Sequence, residues 1–281
     1  MPTTIIHSSS LGVEIQNWLK ANIPGELSVN ENFCRIVHKS KVNRDILDDF
    51  RRKFLIDINT LPEDFNSNQV ALVISDMDST LISIECVDEI ADYINIKQQV
   101  AAITESAMRG EIDFNTSLQK RVGLLKGVDA QVLEKVYNER LKLSPGAAQL
   151  VAGVQKLGIS TALVSGGFTF FTDRLQQKLK LDFTLSNKLD IKDDKLTGEL
   201  VGRIVNAEKK ADFLRQIADQ KNISLAQTVA IGDGANDLLM LQAAGLGVAY
   251  RAKPKVQLQA DAVLNYSNLD AILHLINAKI D

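Results

Sequence analysis

The sequence predicts an α/β protein: a doubly wound parallel sheet that carries a helical insertion and a β-hairpin flap, preceded by a small α+β module. Three observations predict it. From about Val70 onward, short apolar runs rich in β-branched residues alternate with helix-length segments. Residues 83–144 break that alternation with consecutive helical patterns and no strand between them. The first 65 residues follow a different order, βαββαβ, which suits a ferredoxin-like module.

In the leading module, strands are expected at 3–8, 26–30, 33–38 and 56–61, with helices at 11–22 and 43–55. Segment 61–69 (LPEDFNSNQ) is polar, contains a proline and reads as a linker. The later strands are VALVIS (70–75), ISTALVS (159–165), TVAIG (228–232), LGVA (246–249) and ADAVLN (260–265). Each is nearly continuously apolar and bounded by Gly, Asp or Ser, as strands buried on both faces are. Helices are expected at 147–157, 168–180, 207–221, 235–244 and 268–279, and in the insertion at 86–94, 97–109, 114–126 and 129–141. Residues 183–204 alternate on either side of Asp193, Asp194 and Lys195, and read as a hairpin. The expected division is a module at 1–65, a core at 70–82 and 145–281, and a cap at 83–144 inserted in that core.

Composition narrows the function. With 45% hydrophobic and 24% charged residues, the chain has ample material for a core. A net charge of −3, no long basic run and only 5% aromatics argue against a nucleic-acid or anionic-membrane binder. Three scattered histidines and two cysteines argue against zinc, iron–sulfur and disulfide scaffolds. A catalytic metal would need oxygen ligands and a hard cation such as Mg²⁺. The N-terminus lacks a secretory pattern and no apolar run is long enough to span a bilayer, so a cytoplasmic protein is expected.

The chemistry-bearing motifs sit at strand ends. The first core strand runs into Asp76-Met77-Asp78-Ser79-Thr80, where residues two apart point to the same side. Two close carboxylates repel unless a cation or a shared proton intervenes, so the pair reads either as a metal site with one carboxylate free to attack or as a polar strand end. A calcium loop fails, because Leu81 and Val87 occupy its glycine and glutamate positions. Ser165-Gly166-Gly167 ends the next strand and is expected to open a helix, either as a phosphate cradle or as an ordinary turn. Lys209 and Lys210 begin helix 207–221 behind Asn206, a plausible cap. Gly232-Asp233-Gly234-Ala235-Asn236-Asp237 ends a further strand. Neither GxxxxGK[ST] nor GxGxxG occurs.

Taken in order, DMDST, SGG, the lysine and GDGAND resemble the haloacid dehalogenase superfamily of aspartate-nucleophile phosphatases. Within it, DMDSTLISIECVDEIA, LQKRVGLLKG, VSGGF, NAEKKADFL and VAIGDGANDLLML are similar to the phosphoserine phosphatases. The resemblance spans roughly 70–265, and longer bacterial members carry an ACT-like module ahead of it. It implies Asp76 as nucleophile forming an aspartyl-phosphate, and Asp78 as the acid, then the base. It implies Mg²⁺ held by Asp76, the Asp78 carbonyl and Asp233, with Ser165, Gly166, Lys210 and Asn236 on the phosphate. Gly167 supports that loop, and Asp237 orients Lys210. Glu85 would meet the substrate ammonium and Arg121 its carboxylate, with Met108 and Phe114 as an apolar cover. The implied partner is a small molecule, O-phosphoserine, and a homodimer stays open. Two rivals share these motifs: another small phosphomonoester, and an amino-acid-sensing role of the leading module. Cys86 reads as a small buried cap residue, DIKDDK (190–195) as a solvated hairpin tip, and RDILDDFRRK (44–53) as a charged helix face.

Overall fold

A computed structural model describes residues 1–276. The leading module contains β1 (Thr3–Ile6), α1 (Val13–Asn22), β2 (Gly25–Val29), β3 (Cys34–His38), α2 (Arg44–Phe54) and β4 (Ile58–Thr60). Its antiparallel sheet has the order β2-β3-β1-β4, as the βαββαβ pattern requires of a ferredoxin-like fold. Ile6, Ile36, Phe50 and Ile58 close its core, with Trp18 edge-on to Phe50.

The remaining elements are β5 (Leu72–Ser75), α3 (Cys86–Tyr93), α4 (Lys97–Met108), α5 (Phe114–Gly123), α6 (Gln131–Lys135), α7 (Ala147–Lys156), β6 (Ser160–Phe168), α8 (Thr169–Leu179), β7 (Phe183–Lys192), β8 (Lys195–Val201), α9 (Ala207–Lys221), β9 (Thr228–Gly232), α10 (Leu238–Ala243), β10 (Leu246–Tyr250), α11 (Pro254–Gln257), β11 (Ala262–Leu264) and α12 (Ile272–Leu275). The seven-stranded sheet runs β11-β10-β9-β5-β6-β7-β8. Its neighbours pair in parallel except β8, which returns antiparallel on β7. The last expected helix, 268–279, opens as a 3-10 turn at Leu269–Ala271 before α12, and its stretch 277–279 lies outside the described residues.

Alternation along β5 explains the double winding. Leu72 and Ile74 join Phe213, Leu214, Ile217 and Met240 on one face, while Val73 joins Leu150, Val154, Phe171 and Leu175 on the other. The cap core, built on Ile90, Val100, Leu118, Val122 and Val136, is continuous with the second face. Its entry and exit strands lie side by side, through an antiparallel bridge of Ile82 with Leu143 and a 3.0 Å bond from Ser83 N to Lys142 O.

One expectation needs correction. Lys195 is not part of the hairpin turn. It pairs with Lys192, and Asp193 and Asp194 alone make the turn at φ 51° and 57°, the left-handed conformation a two-residue hairpin demands. Segment 61–69 is anchored by Phe65, which is buried in the main core cluster.

The leading module grips β11, the outer strand of the large sheet. The Asn59 side chain donates to Val263 O (3.0 Å) and accepts from Val263 N (2.8 Å), standing in for a strand neighbour. The Asp57 carboxylate accepts the amides of Asn265, Tyr266 and Ser267 at 2.9, 3.0 and 2.7 Å. Arg44 donates to the carbonyls of Leu258 (2.9 Å), Ala260 (3.3 Å) and Gln257. Beside them His7 stacks on His274, which stacks on Phe33.

Candidate active site

β5 delivers the first carboxylates. Asp76 keeps the strand's hydrogen bonding, its N–H donating to Ile231 O at 2.9 Å. The chain then turns sharply over Met77–Leu81, with Ser79 at φ 56°. Every polar side chain of this turn is engaged. Ser79 donates to Glu85 (2.7 Å), Thr80 donates to Asp233 (3.1 Å), and the Asp78 carboxylate accepts the Cys86 amide (3.0 Å). Asp78 is pushed up to about 7, first by burial and then by Glu85, with the Cys86 thiol and amide opposing.

Beneath Asp76 lies a buried ionic floor. Lys210 has no exposed surface, and its ammonium donates to Asp76 and, at 2.7 Å, to Asp237. The other Asp237 oxygen accepts the Gly234 amide at 2.9 Å. Gly232 is required there, because a Cβ would come within 2.5 Å of the Asp237 carboxyl carbon. Asn206 caps α9 by accepting from Lys209 N at 3.1 Å, while the exposed Lys209 side chain pairs with Asp212 at 3.6 Å. Burial drives Asp76 well above the usual carboxylate range, Lys210 pulls it down, and Asp237 and Asp233 push it up again. Burial opposes the Lys210 charge, yet Asp237 and Asp76 outweigh it and leave Lys210 raised. Asp233 is pushed up to about 6, by burial first and then by Asp237.

The SGG segment corrects an expectation. It does not open a helix. β6 continues to Phe168 across a register shift after Val164, and α8 starts only at Thr169. The glycines lie in a bulge of the strand rather than at a helix terminus. Ser165 is fully buried, and its oxygen accepts the Gly167 amide at 2.8 Å. Gly167 leaves room for Asp78, since a Cβ there would sit 2.7 Å from an Asp78 oxygen. The bulge is pinned by a residue the sequence reading missed. Buried Asn187 of β7 donates to Gly166 O (2.8 Å) and accepts from Val205 N (2.8 Å). Its only sequence signal is an amide at an inward position of the hairpin strand.

Above these groups the cap closes a cavity of about 720 Å³. Asp76, Asp78, Glu85, Met108, Phe114, Arg121, Gly166, Gly167, Asp233 and Asn236 line it. Ser165, Lys210 and Asp237 are buried outside that lining. Glu85 is raised by desolvation, with the Ser79 hydroxyl, Arg121 and Lys253 opposing. The buried Arg121 Nε and Asn115 Oδ1 have no hydrogen-bond partner among the described residues. Phe114 touches the bulge, its ring tip 2.8 Å from where a Gly166 Cβ would stand. Met108 is 63% exposed at the mouth, its sulfur 3.9 Å from the Lys253 ammonium. Lys253, another lining residue, carries no motif that sequence reading could use.

The floor fits a divalent cation. One oxygen from each of Asp76, Asp233 and Asp237 lies within 4.8 Å of the others. Two of these carboxylates pair with the Lys210 ammonium, the third lies beside them, and hard oxygen donors of this kind suit a divalent metal. The cluster contains two of the expected ligands, Asp76 and Asp233, and adds Asp237 beside them.

Known proteins resemble this chain in sequence and fold. A family model of haloacid dehalogenase-like hydrolases matches residues 70–245. A phosphoserine phosphatase of Polaromonas sp. is 50% identical over 224 residues, 78% of this chain and 95% of that one. The crystal structure of a HAD family hydrolase from Salmonella enterica serovar Typhi, 31% identical, superposes with a TM-score of 0.90 over 99% of both chains. A substrate-bound phosphoserine phosphatase complex, 38% identical, superposes with a TM-score of 0.70 over 73% of this chain and 98% of that one.

Proposed function

Because the chain belongs to the haloacid dehalogenase-like hydrolase family, we propose that it hydrolyses O-phospho-L-serine to L-serine and phosphate, the closing step of serine biosynthesis. The observation that carries this reading is a single cavity with an acidic phosphoryl-transfer floor and a roof bearing both Glu85 and Arg121. A free amino acid carries an ammonium and a carboxylate, and those two side chains complement them. Arg121 has an unpaired Nε–H to give, and Glu85 is a carboxylate at the same cavity.

The chemistry proceeds in two displacements. An Asp76 carboxylate oxygen attacks phosphorus, and the P–O bond to serine breaks as Asp78 gives its proton to the departing oxygen. The product is an aspartyl-phosphate and serine. Water then attacks phosphorus and loses a proton to Asp78, and the Asp76–phosphorus bond breaks to release phosphate. Asp78 at about 7 is matched to both duties near neutral pH. Lys210 neutralises phosphoryl charge, Asp237 holds the Lys210 ammonium in place, and Ser165, the Gly166 amide and Asn236 bind equatorial oxygens. Mg²⁺, held by Asp76, Asp233 and the Asp78 carbonyl, would offset the repulsion between a phosphate dianion and a carboxylate nucleophile.

In this reading residues 83–144 are a lid over a core at 70–82 and 145–281, and Phe114 with Met108 limits water entry. The protein works in the cytoplasm. Phosphate release measured over phosphoserine, phosphothreonine and sugar phosphates, with Mg²⁺ and with chelator, tests the proposal. Selective, chelator-sensitive turnover of phosphoserine supports it, and preference for a sugar phosphate contradicts it.

A further inference from the structure

Lys253 takes no part in the reaction above, yet it stands at the entrance to the same cavity. It follows β10, and its N–H donates to Asp233 O at 3.3 Å, so its backbone is fixed to the core beside the floor. Its side chain reaches across to the cap, where the ammonium lies 3.9 Å from the Met108 sulfur at the end of α4. That weak acceptor is its one hydrogen-bond contact, and no ion pair involves it among the described residues. The charge around it is one-sided. Beyond the floor acids and Glu85, the lining carries Asp88, Asp113 and Glu208, the last two exposed at the rim. Against them stand Arg121, whose Nε is buried, and Lys253, which is exposed, while Lys210 is buried outside the lining.

We infer that Lys253 is the entry cation of this cavity: its ammonium draws a phosphomonoester dianion past an acidic rim and raises productive capture, leaving the chemical step to the floor. The inference rests on the phosphatase reading of that floor and adds the charge it needs at the mouth. A dianion approaching a rim of carboxylates is repelled, and a positive charge focused at the opening offsets that repulsion and raises the encounter rate. An ammonium already paired with a carboxylate would offer the dianion little net charge, whereas an unpaired one on a flexible four-carbon stem follows the anion inward.

The test compares salt dependence at equal changes of net charge. kcat and KM would be measured for phosphoserine and p-nitrophenyl phosphate, with saturating Mg²⁺, over about 0.02 to 0.5 M KCl, a range in which screening shortens from about 20 to about 4 Å. Relative to wild type at the same salt, Lys253→Gln should lower kcat/KM about three- to tenfold at the low end and less than about 1.5-fold at the high end, for both esters, with kcat within about twofold throughout. Lys253→Arg, which keeps the charge, should stay near wild type. Lys255→Gln, at an exposed position two residues on and outside the lining, should show no salt-dependent loss. The Lys253 side chain makes no cap hydrogen bond to α11, so these variants leave that helix its contacts. No loss at low salt, a loss independent of salt, a loss confined to phosphoserine, a loss of kcat, or an equal loss in Lys255→Gln overturns the inference while leaving the phosphatase reading in place. Where another phosphomonoester is preferred, the phosphoserine proposal fails, and the same ratio read on that ester still decides the role of Lys253.

Discussion

Two buried polar clusters sit on the same sheet and solve opposite problems. At the β11 edge, Asp57, Asn59 and Arg44 hydrogen-bond backbone amides and carbonyls of the core, and the cluster ties the leading module to it. At the centre, Asp76 and Asp237 share one lysine and Asp233 stands beside them, so charge does not cancel. A satisfied cluster serves as structure, whereas an unbalanced one is held in place by the fold and completed by a ligand. The difference predicts which substitutions damage turnover and which damage stability.

The largest effect falls at the centre. Asp76→Asn should reduce phosphoserine turnover at least about a thousandfold while the protein stays folded, because it removes both the nucleophile and one of the crowded charges. Turnover above one hundredth of wild type would break the assignment. Arg121→Ala should raise KM for phosphoserine about 10- to 100-fold and leave KM for a phosphomonoester without a carboxylate nearly unchanged. Comparable changes for both substrates would remove the roof from substrate recognition.

At the edge the effect moves to stability. Asp57→Ala leaves three amides without their acceptor and should cost about 3 kcal/mol in urea unfolding, with kcat unchanged. Loss of kcat without loss of stability would erase the contrast between the clusters.

The smallest effect is a difference in pH slope. Burial lowers His7 well below its ordinary value, His274 and Arg51 adding to it, and burial lowers His274 as well. Between those lowered values and the unfolded value of about 6.5, the unfolded chain binds more protons. The stability these histidines give is complete above about pH 6.5 and is lost as pH falls through their folded values. Asp78 at about 7 and Asp233 at about 6 act in the other direction, since the folded metal-free protein holds protons that the unfolded chain releases. Urea unfolding of metal-free protein at pH 7.5, 6.5 and 5.5 should therefore show stability falling less steeply with acid in His7→Asn than in wild type. Identical slopes would show that the histidine stack does not titrate with folding.

Much of the catalytic core was legible because its signals are local. Strands buried on both faces write themselves as short apolar runs, and helix 207–221 carries a visible Asn206 cap. The acids lie at strand ends, where an open α/β sheet collects its site. The two adjacent lysines are separated by the structure rather than by the sequence, since both lie one turn before Phe213 while only Lys210 is buried. What was illegible depends on distant partners. Gly166-Gly167 carries the same signature for a turn and a bulge, and the Asn187 amide 21 residues away belongs to the bulge. Asp57 and Asn59 look like ordinary polar positions, because the amides they satisfy lie more than 200 residues later. Cys86 reads as filler because nothing in the sequence says that the turn before it brings Asp78 to its amide.

The central claim is that Asp76 carries the phosphoryl group, and trapping the phosphoenzyme tests it most directly. Wild-type protein would be quenched in acid during turnover of ³²P-labelled phosphoserine, then digested and sequenced, with borohydride reduction of a parallel sample. The account predicts hydroxylamine-labile label on the peptide containing Asp76, homoserine at position 76 after reduction, and no label in Asp76→Asn. Label on another residue, or continued turnover with residue 76 never modified, would contradict it.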